Sequence, residues 1–304
     1  MFDCGEGAQR QLQRSLGLVQ VDEIFLTHFH ADHFLGLPGL LKTYDLGGRE
    51  APLTIYGPPG LTSLFAALEG IFGRTRFPVT LEEVKPGEKL AGDDYEIRPF
   101  EVSHRTASAL GYALVEDPRP GRFDPDLAQR LGVRSGPDFG RLQRGEAVDG
   151  ADGPVDPSDV MGSDRAGRTV VITGDTAPSP GAAEAADGAD LLIHDSSFAD
   201  DEIDRAAETG HSTARQAAAL AAQANARLLA LVHISARYHI GVVLDQAREE
   251  FAETVAPRDF DEIKIPYPES GEPSLIRNGA RERGEGEEVS ATSEDEPGPS
   301  GSPC

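Results

Sequence analysis

The chain reads as an α/β layered domain. Short apolar, strand-like runs alternate with segments of helical periodicity along most of its 304 residues. Hydrophobic residues make up 38% of it, enough for a sizeable core in one large domain. No apolar run reaches the roughly 18 residues that a membrane-spanning helix needs.

The elements follow in order. Apolar runs bounded by Gly, Pro and Asp predict strands over residues 23–27, 53–56, 79–84, 95–102 and 110–115. Apolar spacing of helical period predicts helices over 37–44 and 60–72 among them. In the last third, strands over 169–173, 190–194, 227–233 and 262–265 alternate with helices over 199–206, 213–223 and 242–255. Two stretches fall outside this pattern. Residues 117–167 are rich in Gly, Pro and Asp, have little apolar periodicity and interrupt two good strands. Insertions of that kind are functional or disordered more often than passive. Residues 268–304, which include SATSEDEPGPSGSPC, predict a disordered acidic tail.

Charge bounds the partners. Asp and Glu number 52 against 28 Lys and Arg, a formal −24, and only four of the cations are lysines: Lys42, Lys85, Lys89 and Lys264. An acid surplus with so little lysine predicts work in concentrated salt, where charges are screened within about 3 Å. Outside such salt, this balance argues against a nucleic-acid substrate. Cys4 and Cys304 form no disulfide framework and no zinc-knuckle spacing, which fits a reducing cytoplasm. The first residues, MFDCGEGAQR, lack the basic and apolar regions of a secretory signal.

The sharpest chemical signal is Thr27-His28-Phe29-His30-Ala31-Asp32-His33, directly after the strand EIFLT. Neutral imidazole and carboxylate are the usual ligands of catalytic zinc. On extended backbone His28 and His30 point to one side, and Asp32 and His33 leave the following turn at another angle. One ion does not easily take all four and keep an open position; two ions do. His104, Asp175 and His233 each stand alone at the end of an apolar run, where an α/β fold gathers its site. A carboxylate such as Asp175 can bridge ions about 3.5–4 Å apart. Five of the eight histidines fall in this set.

HFHADH resembles the HxHxDH motif of the metallo-β-lactamase superfamily. FDCGEGAQRQ, LTHFHADHFLGLPGLL, SHRTASALGY, GDTAP, LLIHDSSF, GHSTARQAA and VHISARY narrow this to a resemblance to ribonuclease Z, from Phe2 to about Pro266. The resemblance implies a four-layer αββα metallo-β-lactamase fold with an inserted flexible arm. Residues 1–267 would form the catalytic domain, 117–167 a tRNA-binding arm and 268–304 the tail. It implies two zinc ions per subunit, with manganese as the alternative. The first would be held by His28, His30 and His104, the second by Asp32, His33 and His233, with Asp175 between them. Asp32 would be the proton acceptor. His211 of GHST, oriented by Asp195, would donate to the leaving oxygen. The implied activity is removal of the 3′ trailer from precursor tRNA by metal-activated hydroxide, in a cytoplasmic homodimer.

The same resemblance points to the arm as a tRNA grip. LGVRSGPDFGRLQRGEAV supplies Gly136-Pro137 in the matching place, followed by Arg141 and Arg144. From Arg119 to Arg144 there are six arginines against Asp124, Asp126 and Asp138, a local surplus of three positive charges in an acidic chain. Arg237 and Tyr238, just after His233, are further phosphate candidates; the Arg fork suits paired phosphate oxygens.

Two departures from the resemblance carry expectations. The family's strands and loop before FDCGEG are missing, so either the chain is truncated or, the favoured expectation, Met1 is a misassigned start within the domain. Asp195 stands where the family has Glu, so a looser or water-mediated contact with His211 is expected. Two other readings compete. One is a general zinc phosphodiesterase on small diesters, from which the arm would discriminate. The other is a tRNA-binding protein without turnover, against which the full set of seven candidate ligands argues.

Overall fold

The computed structural model describes residues 1–277, apart from Leu16, Leu18 and Ala107. Two sheets face each other. The smaller has parallel strands Glu23–Phe25, Leu53–Gly57 and Val79–Glu83, in that order, with Phe2 bridged to Phe25 at its edge. The larger runs Thr254–Val255, Leu229–Val232, Leu191–Asp195, Thr169–Ile172, Leu110–Glu116, Tyr95–Glu101, Leu90–Ala91. Its first four strands are mutually parallel and the rest pair antiparallel.

The burial pattern explains the layering. Between the sheets, Phe25, Tyr112, Ile97 and Leu110 pack with Phe2, Tyr56 and Tyr95. On the outer face of the small sheet, Leu37, Leu40, Leu41 and Tyr44 of helix Leu37–Leu46 and Leu61 and Phe65 of helix Leu61–Phe72 cover Ile24, Leu53 and Ile55. On the outer face of the large sheet, Ala214, Ala217, Ala218 and Ala221 of helix Ala214–Gln223 lie fully buried against a core containing Val171, Leu192 and Leu229. Their i, i+3, i+4, i+7 spacing is one face of the helix, and methyl-sized side chains bring its backbone close to the sheet. Thr213 starts this helix with a reciprocal capping box to Gln216. The result is the expected four layers, αββα.

The structure departs from the sequence reading at several places. The helix expected over 242–255 is Ile240–Glu250, and Thr254–Val255 is instead the outer strand of the large sheet, paired with Leu229 and Ala230. The helix expected over 199–206 is a 3₁₀ turn, Asp200–Glu202, followed by Ile203–Thr209. Helix Ala8–Ser15 escaped notice because it buries no residue fully.

The insertion, whose composition left it functional or disordered, carries regular elements of its own. Helices Pro125–Arg130, Pro137–Gln143 and Pro157–Val160 and the paired strands Val148–Asp149 and Pro154–Val155 enclose a core of Ala128, Val133, Leu142, Val148, Val155 and Val160. Proline at the start of each helix, preset in φ, does what apolar periodicity does elsewhere. The boundary expected at 267/268 also moves. Ser274–Ile276 pairs antiparallel with Glu262–Lys264, so the body runs on past it. The rest of the expected tail, from residue 278, lies outside the described residues.

The alanine-lined contact makes a testable demand. Ala218→Leu is expected to overpack the helix against the sheet and cost about 1–3 kcal/mol. Thermal denaturation of the variant beside the parent checks this.

Candidate metal centre

Every candidate ligand leaves the carboxyl end of a strand or the segment just after it. His28 and His30 follow Glu23–Phe25, His104 follows Tyr95–Glu101, Asp175 follows Thr169–Ile172 and His233 follows Leu229–Val232. Asp32 and His33 sit on one helical turn, Ala31–Phe34. Close backbone approach makes room for this. The Gly5 position meets the Asp32 carbonyl, and Gly174, at φ +61°, rests on Thr27, so a side chain at either would clash. His233 itself has φ +58° and Asp3 φ +52°, a conformation that costs energy for residues other than glycine and clusters at functional sites.

The ligating atoms of His28, His30, His104 and Asp175 lie within 4.8 Å of one another, and so do those of Asp32, His33, Asp175 and His233. His104 Nε2 is 3.2 Å from His30 Nδ1. Asp175 Oδ2 is 3.7 Å from His28 Nε2, 3.3 Å from His33 Nε2 and 3.4 Å from His233 Nε2. Asp32 Oδ2 is 3.3 Å from His233 Nε2 and 3.6 Å from His33 Nε2. Ligands about 2.0–2.1 Å from a tetrahedral ion stand about 3.3 Å apart, and the individual distances above, 3.2–3.7 Å, lie close to that. His28 Nε2 and His33 Nε2 are buried with no hydrogen-bond partner, which is costly unless a metal takes the lone pair. The residues therefore fit metal ions, and the shared Asp175 fits a pair of them.

The opposite ring nitrogens fix these orientations through two hydroxyl relays. Thr27 Oγ1 donates to Asp3 Oδ2 at 2.9 Å and accepts from His28 Nδ1 at 3.0 Å. Ser197 Oγ donates to Asp195 Oδ1 at 2.6 Å and accepts from His233 Nδ1 at 2.7 Å. His33 Nδ1 donates directly to Asp3 at 2.7 Å, and His104 Nδ1 to the Gly210 carbonyl at 2.8 Å. The tautomers follow from these partners, and each leaves Nε2 for the metal. Asp3, Thr27 and Ser197 received no role in the sequence reading. The signal was present in FDCGEG, LTH and HDSSF, but spacing along a chain does not reveal which hydroxyl stands behind which imidazole.

His211 stacks on His233, with ring centroids 5.2 Å apart, and meets His104 edge-on at 4.9 Å. Its Nδ1 donates to Asp195 Oδ2 at 2.8 Å. The expectation of a looser or water-mediated contact is overturned. Amides of Thr176 and Ser197 hold the fully buried carboxylate in place, and the shorter side chain still reaches.

Burial pushes His28 down to about 3, which keeps its imidazole neutral, the ligating form. Burial also opposes charge on His33, but Asp175 and Asp3 outweigh it and raise it to about 10, so a metal there displaces a proton. His211 is raised in the same way: burial lowers it, and the hydrogen bond to Asp195 more than compensates.

The predicted phosphate contacts are placed less simply. Arg237 donates to Glu202 at 2.5 Å, and Tyr238 to the same carboxylate at 3.3 Å. Gly136, at φ +121°, caps the helix that Pro137 opens in the arm. Arg141 and Arg144 both pair with Glu146. Arg122, Arg130 and Arg134 are exposed, with no carboxylate partner among the described residues. The structure thus brings together the seven ligand candidates, His211 and Asp195, and holds the arm residues on a separate unit.

Residues 1–232 match the Metallo-beta-lactamase superfamily, the class this fold and site define. The chain is 49% identical to Ribonuclease Z of Haloferax volcanii, covering 89% of this chain and 87% of that one. It is 49% identical to Ribonuclease Z of Myxococcus xanthus, covering 88% of each. Among solved structures it resembles human tRNase Z, short form, at TM-score 0.61 and 27% identity, covering 88% of each chain. It shares its fold with the YhfI protein of Bacillus subtilis, at TM-score 0.57 and 19% identity over 83% of this chain and 80% of that one. The chain belongs to the ribonuclease Z family of the metallo-beta-lactamase superfamily.

The carboxylate behind two imidazoles is the cheapest place to test the centre. Asp3→Ala is expected to weaken metal affinity about 10–100-fold. Competition with a chromogenic chelator, followed by elemental analysis, measures it.

Proposed function

We propose that the protein is a metal-dependent endoribonuclease that removes the 3′ trailer from precursor tRNA. The observation that carries this is the pair of ligand sets sharing Asp175, with His211 held by Asp195 at their rim. Near-half identity to ribonuclease Z over almost the whole chain supports the substrate class.

In this reading His28, His30 and His104 would hold one zinc ion and Asp32, His33 and His233 a second, with Asp175 shared between the two sets; manganese would be the alternative metal. Bound metals supply an activated water at neutral pH and neutralise charge on the phosphate oxygens. Asp32, the most exposed carboxylate of the site, accepts the proton of the attacking water. His211 carries a proton kept on it by Asp195 and gives it to the 3′ oxygen of the discriminator nucleotide as the P–O bond breaks. The tRNA leaves with a 3′-hydroxyl and the trailer with a 5′-phosphate. Arg237 and Tyr238 contact phosphate once Glu202 exchanges them.

Residues 117–167 act as the tRNA-binding arm, through Gly136, Pro137, Arg141 and Arg144, with Arg130 and Arg134 of the same arm exposed and without a carboxylate partner among the described residues. A homodimer, in which each arm reaches tRNA held by the other subunit, and a cytoplasmic location complete the reading. No helix among the described residues is long and apolar enough to cross a membrane.

The test is cleavage of a 3′-extended precursor tRNA in molar KCl. Chelator-sensitive cleavage at the discriminator, abolished in Asp32→Ala, is the expected result. His211→Ala is expected to lose about 10²–10⁴-fold in kcat. Replacing residues 122–162 by a short glycine linker is expected to remove tRNA cleavage and spare a small chromogenic diester. Diester turnover without tRNA cleavage by the intact protein would replace this reading with the general phosphodiesterase.

The charge balance supports work in concentrated salt, and relatives include ribonuclease Z of Haloferax volcanii. The melting temperature is expected to rise between 0.1 and about 2 M KCl as self-repulsion is screened. A flat or falling melting curve would count against salt adaptation.

A further inference from the structure

The arm leaves the large sheet after Leu110–Glu116 and returns at Thr169–Ile172. At its root the two stems pair: the Arg119 amide donates to the Arg165 carbonyl at 2.7 Å and the Arg165 amide to the Arg119 carbonyl at 2.8 Å. The segment after Glu262–Lys264 crosses this root. Glu269 accepts from Arg119 at 3.0 and 3.4 Å and from Arg165 at 2.8 Å, so one carboxylate holds both stems. The Arg119 guanidinium lies 3.3 Å from the centroid of the Tyr267 ring, and Arg168 lies 4.6 Å from it.

The crossing segment is itself anchored to the body. Ile263 and Ile265 pack on a cluster of Leu191, Leu228 and Ala230. Arg168 donates to the Ile265 carbonyl at 2.9 Å, and Arg227 to the Pro266 carbonyl at 3.1 Å.

Without Glu269, the guanidinium groups of Arg119 and Arg165 would face each other at the root with no acid between them. A paired, charge-assisted contact against an aromatic face is stronger than an isolated surface pair. The arm is a separate packed unit joined through two stems, so freedom at the root becomes displacement at the Gly136-Pro137 end.

We infer that Glu269 is a positioning residue for the macromolecular substrate: it fixes the angle at which the arm leaves the body. This rests on the reading of 117–167 as the tRNA-binding arm. The residue acts on capture of tRNA and leaves the chemistry at the metal centre untouched.

The experiment compares the full chain with Glu269→Gln and with the charge swap Glu269→Arg/Arg165→Glu. Spin labels at Ser63→Cys on the body and Ser135→Cys on the arm, both exposed positions, report the distance between the units in a Cys304→Ser background. Glu269→Gln is expected to broaden that distance distribution and raise KM for precursor tRNA about five- to tenfold. Its kcat and its turnover of bis-p-nitrophenyl phosphate stay at the parent values, and the swap restores part of the KM. An unchanged distance distribution overturns the inference. So does an unchanged KM where arm deletion abolishes tRNA cleavage. Full tRNA cleavage without the arm overturns the arm reading instead, whatever the labels show.

Discussion

The structure turns on the Asp175 carboxylate. It is almost fully buried, and Nε2 atoms of three histidines face it within 3.7 Å. A charge in that position is tolerable only with compensating charge beside it. Those three histidines come from two separate strand ends in two different sheets. The sandwich must therefore close with the right register for the carboxylate to be satisfied at all. Much of the local backbone serves that closure: Gly5 and Gly174 at points of contact, and Asp3 and His233 at positive φ. The same demand explains why the rings are fixed from behind. Asp3 and Asp195 each stabilise two imidazoles, directly or through one hydroxyl, so one half-buried and one fully buried acid set the orientation of His28, His33, His211 and His233.

Much of this was legible in the sequence. Three histidines and an aspartate within 27–33 are a local pattern, and lone polar residues ending apolar strands mark where an α/β fold assembles its site. Alternation gave an α/β layered domain, and the resemblance gave its four layers. The rest was hidden for physical reasons. The relays through Thr27 and Ser197 depend on which hydroxyl stands behind which ring, a matter of tertiary register. The shorter Asp195 was expected to weaken its contact with His211, but the Thr176 and Ser197 amides place it where its length suffices. The arm's core was missed because Ala128, Val133, Leu142, Val148, Val155 and Val160 are spread thinly among Gly, Pro and Asp and converge only through turns. Thr254–Val255 was absorbed into the preceding helix, where two β-branched residues were the signal for a strand.

The charge pattern gives the reading its physical tension, because a chain of net −24 is asked to hold a polyanion. In dilute buffer, long-range repulsion would oppose the encounter. In molar salt, where the screening length is about 3 Å, net charge stops mattering and only groups in contact do. That favours groups with geometry over diffuse charge: fixed imidazole and carboxylate ligand sets, and arginine forks that match phosphate oxygens. With four lysines among its 28 cations, the chain relies on arginine almost entirely. The same logic separates the arginines by role. Arg119, Arg165 and Arg168 are engaged with acids and an aromatic ring at the arm root, contacts that survive screening because they are short and partly buried. Arg130 and Arg134 remain exposed near Gly136-Pro137 without a carboxylate partner among the described residues. One group of arginines is therefore engaged within the protein at the arm root, and another stands exposed to solvent.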